Sequence, residues 1–286
     1  MLQKLIAWRW PACALFALFV LSLLGCQNLE EQQRKWIILG GGTGVSARSG
    51  QSVEGMDEVW IEHPSSVTGK SVKLHALWAE HPDPKAPVLL YLHGARRDLN
   101  SSAFRIRQMN ELGFAVLAID YRGFGQSSDE LPSEAMVYED AGSAWAWLAQ
   151  HKPQRERYIF GHSLGGAIAI HLASEVADAK GLIVEGAFTS IPEVFQTLRW
   201  GWLPVTALIT QRFDAAERIG RVKMPVLVVH GSGDSLILPA LGRALYERAK
   251  EPKRFVLVDG GTHYSTNGMG VRQYREALRE LFGIGA

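Results

Sequence analysis

Cysteine is almost missing from this chain of 286 residues: Cys13 and Cys26 are the whole complement. Two thiols cannot build a disulfide framework, and no CxxC or HExxH spacing signals a metal site. An excess of charge of either sign is missing as well. Thirty Lys and Arg stand against 29 Asp and Glu, so there is no global field for nucleic acid, and no basic stripe with interleaved aromatics takes its place. Gly69-Lys70-Ser71 lacks the upstream glycine of a phosphate loop, and the glycines from Gly40 to Gly44 precede no nucleotide-binding βαβ unit. No internal repeat is visible. These absences leave no cofactor, metal, nucleic acid or obligate protein partner to expect. What is present is a globular composition, 47% hydrophobic, 21% charged and 9% aromatic, which excludes disorder, collagen and coiled coil.

Long apolar runs are scarce too. The one candidate, Trp10 to Gly25, is broken by Pro11 and falls short of the roughly 20 residues that a spanning helix needs. Lys4 and Arg9 precede or flank its start and no acid occurs before Glu30, which is the layout of an export signal over residues 1–25. Its end, Leu23-Leu24-Gly25-Cys26, resembles a bacterial lipobox. That resemblance implies cleavage before Cys26 and lipidation of its thiol, hence a cell-envelope protein held on a membrane by an N-terminal lipid anchor. Gln27 stands where an Asp would signal inner-membrane retention, so in a Gram-negative host the expected destination is the outer membrane, facing the periplasm. An uncleaved signal anchor in the inner membrane is the alternative.

Residues 26–56 read as tether and irregular lead-in, because 28–35 is polar and 40–56 is rich in Gly and Ser. From Asp57 onward, short apolar runs alternate with helical patterns. The runs at 59–63, 74–80, 88–94, 115–121, 157–163, 181–186, 225–231 and 254–260 predict eight strands, and the near-continuous hydrophobes of the central ones suit a parallel sheet buried on both faces. Helical spacing over 134–150 places Met136, Val137, Ala141, Ala144, Trp145 and Leu148 on one face, and over 270–282 it does the same for Val271, Tyr274, Leu278, Leu281 and Phe282. The prediction is one α/β domain over 57–286, an eight-stranded mostly parallel sheet with helices on both faces. Residues 187–224 are too long for a simple connection and predict a short lid insertion over the C-terminal edge of the sheet. Its Trp200 and Trp202 are candidates either to line an acyl pocket or to pack.

The sharpest signal is Gly161-His162-Ser163-Leu164-Gly165, a GxSxG motif between a strand pattern and an apolar helical pattern from Ala167 to Ala173. A nucleophile on a tight strand-to-helix turn needs glycine where neighbouring backbones approach, so Gly161 and Gly165 lift Ser163 above the sheet. The helix N-terminus aims free N–H groups and the positive end of its dipole at the same place. An acid should then follow a later strand and a histidine should come last. Asp234 lies just beyond the run 226–229 and His263 just beyond 255–258, so all three fall at strand C-termini, where an open α/β sheet places its site. His263 is expected as general base, Asp234 as the group that fixes its tautomer, and the backbone N–H groups of Leu164 and Ala95 as the oxyanion donors. Asp259 is expected to shape a turn, Asp120 and Arg122 to brace a loop, His162 to be structural, and Glu185 to support the site or to replace Asp234. Arg96 and Arg97 either meet an acidic substrate group or are a solvated loop pair.

With LYLHG (90–94), AIDYRGFGQS (118–127), FGHSLGG (160–166), VEGAFTS (184–190), the stretch 212–234 and GGTHY (260–264), the chain resembles the α/β-hydrolase superfamily. It is most similar to the short-lidded serine hydrolase branch described as serine-aminopeptidase-like, which includes depalmitoylating thioesterases and bacterial esterases. The resemblance covers about residues 57–282 and implies the α/β-hydrolase fold and a Ser163, Asp234, His263 triad acting on esters or thioesters. Where relatives often carry an Asn-rich turn, this chain has Ala95-Arg96-Arg97-Asp98. A peptidase releasing N-terminal residues, a cofactor-free haloperoxidase with the same triad, and a catalytically idle envelope-binding scaffold remain open.

Overall fold

Strands that are apolar along their whole length must bury both faces, which only a layered sheet provides. The computed structural model, which describes residues 25, 28–39, 53–198, 201–203 and 206–285, builds that sheet from all eight predicted runs. They form β1 (Asp57–Pro64), β2 (Ser71–Ala79), β3 (Val88–Leu92), β4 (Ala115–Ile119), β5 (Arg157–His162), β6 (Ala179–Glu185), β7 (Val226–Gly231) and β8 (Lys253–Val258). Their order across the sheet is β1-β2-β4-β3-β5-β6-β7-β8. β2 is antiparallel to β1 and β4, and every later pair is parallel. Every residue of β3, β4 and β7 is buried.

The two-residue period of a strand sends alternate side chains to opposite faces, and two cores result. Leu90, Leu92, Ile159, Val184 and Val228 face one of them, under helices α3 (Glu134–His151), α4 (Leu164–Glu175) and α7 (Pro239–Arg248). Leu89, Tyr91, Phe160, Ile183 and Val229 face the other, under α2 (Leu99–Glu111) and α9 (Val271–Phe282), the latter preceded by the one-turn α8 (Thr266–Met269). The expected buried face of α3 is found whole. In α9, Tyr274 and Leu278 are buried while Val271, Leu281 and Phe282 are half-buried.

Two expectations need correction. Residues 28–39 are not an irregular tether: 28–37 form a helix, α1. Gln33 donates through Nε2 to the carbonyl of Leu208 (2.7 Å) and accepts through Oε1 from the N–H of Thr210 (2.8 Å). Arg34 donates to the carbonyls of Pro132 and Leu131, and Ile38 is fully buried. Polar side chains that read as solvated are engaged with backbone carbonyls and N–H groups instead. The second correction concerns the insertion, which holds α5 (Ile191–Gln196), a 3₁₀ turn (Thr206–Leu208) and α6 (Ala215–Ile219). Trp202 is 74% exposed, so it is not a core packing residue; Trp200, residues 1–24 of the export segment and Cys26 lie outside the described residues. Among the described residues no helix is long and apolar enough to cross a membrane.

Candidate active site

β5 ends in a turn that most side chains avoid. Ser163 has φ 57° and ψ −122°, a positive φ that a non-glycine residue adopts only when its surroundings over-determine it. The neighbours supply that constraint. A Cβ on Gly161 would lie 2.1 Å from the Gly165 carbonyl oxygen, and one on Gly165 would lie 2.1 Å from that of Leu92, so the turn is wedged against β3 with no room for a side chain at either glycine. The N–H of Ser163 donates to the carbonyl of Glu185 (2.9 Å), tying the turn to β6.

The loops after β7 and β8 bring the other two residues to this turn. Nε2 of His263 lies 2.9 Å from Oγ of Ser163, and Nδ1 lies 2.8 Å from Oδ2 of Asp234. The other oxygen of Asp234 accepts from the N–H groups of Leu236 (3.0 Å) and Ile237 (2.9 Å). His230, a residue the sequence reading passes over, adds its Nε2 at 3.3 Å from Oδ2. Burial disfavours charge on Asp234, but the neighbouring His230 and the hydrogen bonds with His263 and Ile237 outweigh it and hold the carboxyl well below the usual carboxylate range. An anionic acceptor at Nδ1 keeps the His263 proton there and turns the Nε2 lone pair to the Ser163 hydroxyl.

Leu164 is the first residue of α4, where a backbone N–H has no partner within the helix. Gly94 packs so closely on the nucleophile that a Cβ there would lie 3.0 Å from Cβ of Ser163, which carries Ala95 to the same place. Leu164 and Ala95 line a cavity of about 180 Å³ together with Ser163 and His263. Its apolar wall is Ile37, Phe188, Ile191, Val194, Leu236 and Ile237, and Arg96, Arg97 and Tyr264 complete the rim.

Beneath the site runs a buried polar network. Arg105 of α2 donates from Nε to Glu185 (3.1 Å) and lies with its terminal nitrogen 3.1 Å from Nε2 of His162, 3.4 Å from the carbonyl of His263 and 3.3 Å from that of Tyr264. Tyr274 donates its hydroxyl to the other oxygen of Glu185. Burial, then the charge of Arg105 and the neighbouring His263, push the His162 pKa well down, so its ring is neutral. His162 is therefore structural, and Glu185 supports the site without touching His263. Asp259 accepts from Ser232 at an exposed turn (3.1 Å). Asp120 accepts from the N–H of Leu99 (3.0 Å) and Arg122 grips Asp140 through two nitrogens (2.6 and 2.9 Å), so both brace loops. Among the described residues no group of three or more His, Cys, Asp or Glu is placed to hold a metal ion.

The family model described as serine aminopeptidase, S33, matches residues 82–216. A protein of Mycobacterium tuberculosis described as uncharacterised is 32% identical over 275 residues, 95% of this chain and 94% of its own length. The chain belongs to the α/β-hydrolase family. Another similar protein, the lysophosphatidylserine lipase ABHD12 of Danio rerio, is 30% identical over 68% of this chain, which spans 56% of that relative. Among solved structures, an esterase of Pyrococcus furiosus superposes with a TM-score of 0.63 at 18% identity, covering 80% of this α/β-hydrolase and 92% of the esterase. Est1E from Butyrivibrio proteoclasticus, with ferulic acid bound, gives a TM-score of 0.63 at 21% identity over 79% of this chain and 99% of its own. Both likenesses show the α/β-hydrolase fold.

Proposed function

We propose that this α/β-hydrolase is a membrane-tethered serine hydrolase that cleaves carboxylic esters or thioesters through a Ser163 acyl-enzyme. The observation that carries this reading is the hydrogen-bonded chain from Ser163 through His263 to an anionic Asp234, opening on a cavity with an apolar wall. Oγ of Ser163 attacks the carbonyl carbon while its proton passes to Nε2 of His263, and Asp234 stabilises the imidazolium. The N–H groups of Leu164 and Ala95 receive the oxyanion; one such donor contributes about 2.7–4 kcal/mol to the transition state. Collapse expels the alcohol or thiol, which takes the proton from His263. Water, deprotonated by the same base, then releases the acid and restores Ser163.

An aminopeptidase must neutralise the substrate's terminal ammonium, and a carboxylate in the site would do so. Among the described residues the cavity is lined by no Asp or Glu and by two arginines, which favours an acyl ester over an N-terminal peptide. The test is fluorophosphonate labelling with peptide mapping, followed by turnover of a hexanoyl ester, its thioester and an aminoacyl arylamide. The expected result is an adduct on Ser163 and ester or thioester turnover well above arylamide turnover. Faster arylamide turnover would favour the peptidase, and absence of labelling in a folded chain would favour a non-catalytic scaffold.

The tether is assigned to Cys26. At 1.5 Å per residue α1 spans about 15 Å, and Ile37 at its end lines the cavity. Replacing Cys26 by Ser is expected to abolish incorporation of a fatty-acid label and to move the protein from the membrane to the soluble fraction. Membrane retention without label would indicate an uncleaved signal anchor.

A further inference from the structure

The cavity walls differ on the two flanks of the nucleophile, and the strand order explains why. β5, which leads into the turn at Ser163, lies between β3 and β6. The loop leaving β3 supplies Arg96 and Arg97 on one flank, whereas the segments leaving β6 and β7 supply Phe188, Ile191, Leu236 and Ile237 on the other. A substrate lying across Ser163 therefore meets hydrocarbon on one side and guanidinium groups on the other.

Neither arginine is there as half of an internal ion pair. Arg105 and Arg122 are matched by Glu185 and Asp140, but among the described residues Arg96 and Arg97 have no carboxylate partner. Asp98, the acid next in sequence, is engaged as the cap of α2, accepting from the N–H of Ser101 (2.9 Å). Both residues nevertheless line the cavity. Arg96 has φ 63°, a strained setting for a residue with a side chain, and it is exposed at the rim. The Arg97 guanidinium lies 4.7 Å over the ring of Tyr264, the residue after His263, and reaches the carbonyl of Ser101 (3.5 Å). A guanidinium presents a planar fork of donors that matches the oxygens of a phosphate or carboxylate.

We infer that Arg96 and Arg97 form a recognition site for an anionic group, phosphate or carboxylate, carried on the alcohol portion of the ester that Ser163 cleaves. The inference rests on the serine-hydrolase reading above. The acyl chain takes the apolar flank, the carbonyl oxygen points to Leu164 and Ala95, and the charged alcohol leaves past Arg96 and Arg97.

The test compares 1-hexanoylglycerol with 1-hexanoylglycerol 3-phosphate, both monomeric and without vesicles. The wild-type protein should favour the phosphate ester by about tenfold or more in kcat/KM, as charge-assisted hydrogen bonds allow. The preference should reside in KM and shrink as salt is raised. In Arg96→Gln/Arg97→Gln the ratio of the two kcat/KM values should fall to near one. Because both esters are read on one preparation, a misfolded fraction lowers both rates and leaves the ratio intact. An unchanged ratio in the double variant, or no preference in the wild type, would overturn the inference while leaving the esterase reading standing. A preference that emerges only with anionic vesicles would reassign the pair to the bilayer surface and overturn it likewise. Hydrolysis of neither ester by a folded chain would defeat the serine-hydrolase reading itself.

Discussion

Ser163→Ala should lower kcat on a short-chain ester by about 10⁶-fold while leaving the thermal midpoint nearly unchanged. Ser163 Oγ is the atom to which Nε2 of His263 is directed at 2.9 Å, and alanine removes that oxygen alone. Alanine keeps the Cβ that already fits at φ 57°, so the turn between β5 and α4 has no new strain to absorb. What should remain is the contribution of Leu164, Ala95 and the cavity, a residual acceleration of roughly 10³–10⁴ over water. Steady-state kinetics with a melting curve on the same sample measures both halves of the prediction. Activity above a tenth of wild type would place the nucleophile elsewhere. Asp234→Asn tests the neighbouring link and should cost about 10⁴ in kcat, because an amide at that position no longer enforces the tautomer with the proton on Nδ1.

Arg105→Ala should strike stability and catalysis together. Arg105 and Glu185 are both fully buried, and removing the cation leaves a carboxylate whose neutralising partner is gone. Such a deletion typically destabilises by about 3–5 kcal/mol, which for a domain of this size corresponds to a fall in Tm on the order of 10 °C or more. The same change deletes the contacts to His162 and to the carbonyls of His263 and Tyr264, so the loop carrying the base loses its clamp. The surviving folded fraction should therefore show a lower kcat at temperatures where it is fully folded. Replacing both partners, as in Arg105→Met/Glu185→Gln, should recover much of the stability because no uncompensated charge remains. Chemical denaturation of the two single variants and the double variant gives the coupling directly. A single variant as stable as wild type would mean that water or Tyr274 already satisfies Glu185.

The sheet and the three residues at its C-terminal edge were legible because each has a local signature: continuous apolar runs, a glycine-flanked serine, and polar residues one step past a strand. Arg105 has none. The buried residues of α2 include Ser102, Arg105 and Gln108 beside Leu99, Ile106 and Met109, so the apolar stripe that announces a helix is interrupted where the helix supports the site. His230 sits inside the last apolar residues of β7 and gains its role only through the loop that folds Asp234 back onto it. α1 escaped for a different reason: Gln33 and Arg34 dock through backbone groups of the 206–210 segment and of Leu131 and Pro132, which lie about 100 residues or more away in sequence. Polarity read along one segment cannot show that its partners are distant carbonyls.

The docking of α1 has a consequence for how such chains diversify and how they are engineered. Ile37 shapes the reaction cavity and Ile38 is part of the core, yet both sit within about a dozen residues of the cysteine proposed to be the membrane address. A graft that exchanges leader sequences a dozen residues too far in would therefore alter which acyl groups fit, and a soluble version trimmed at residue 40 would be a different catalyst from its parent.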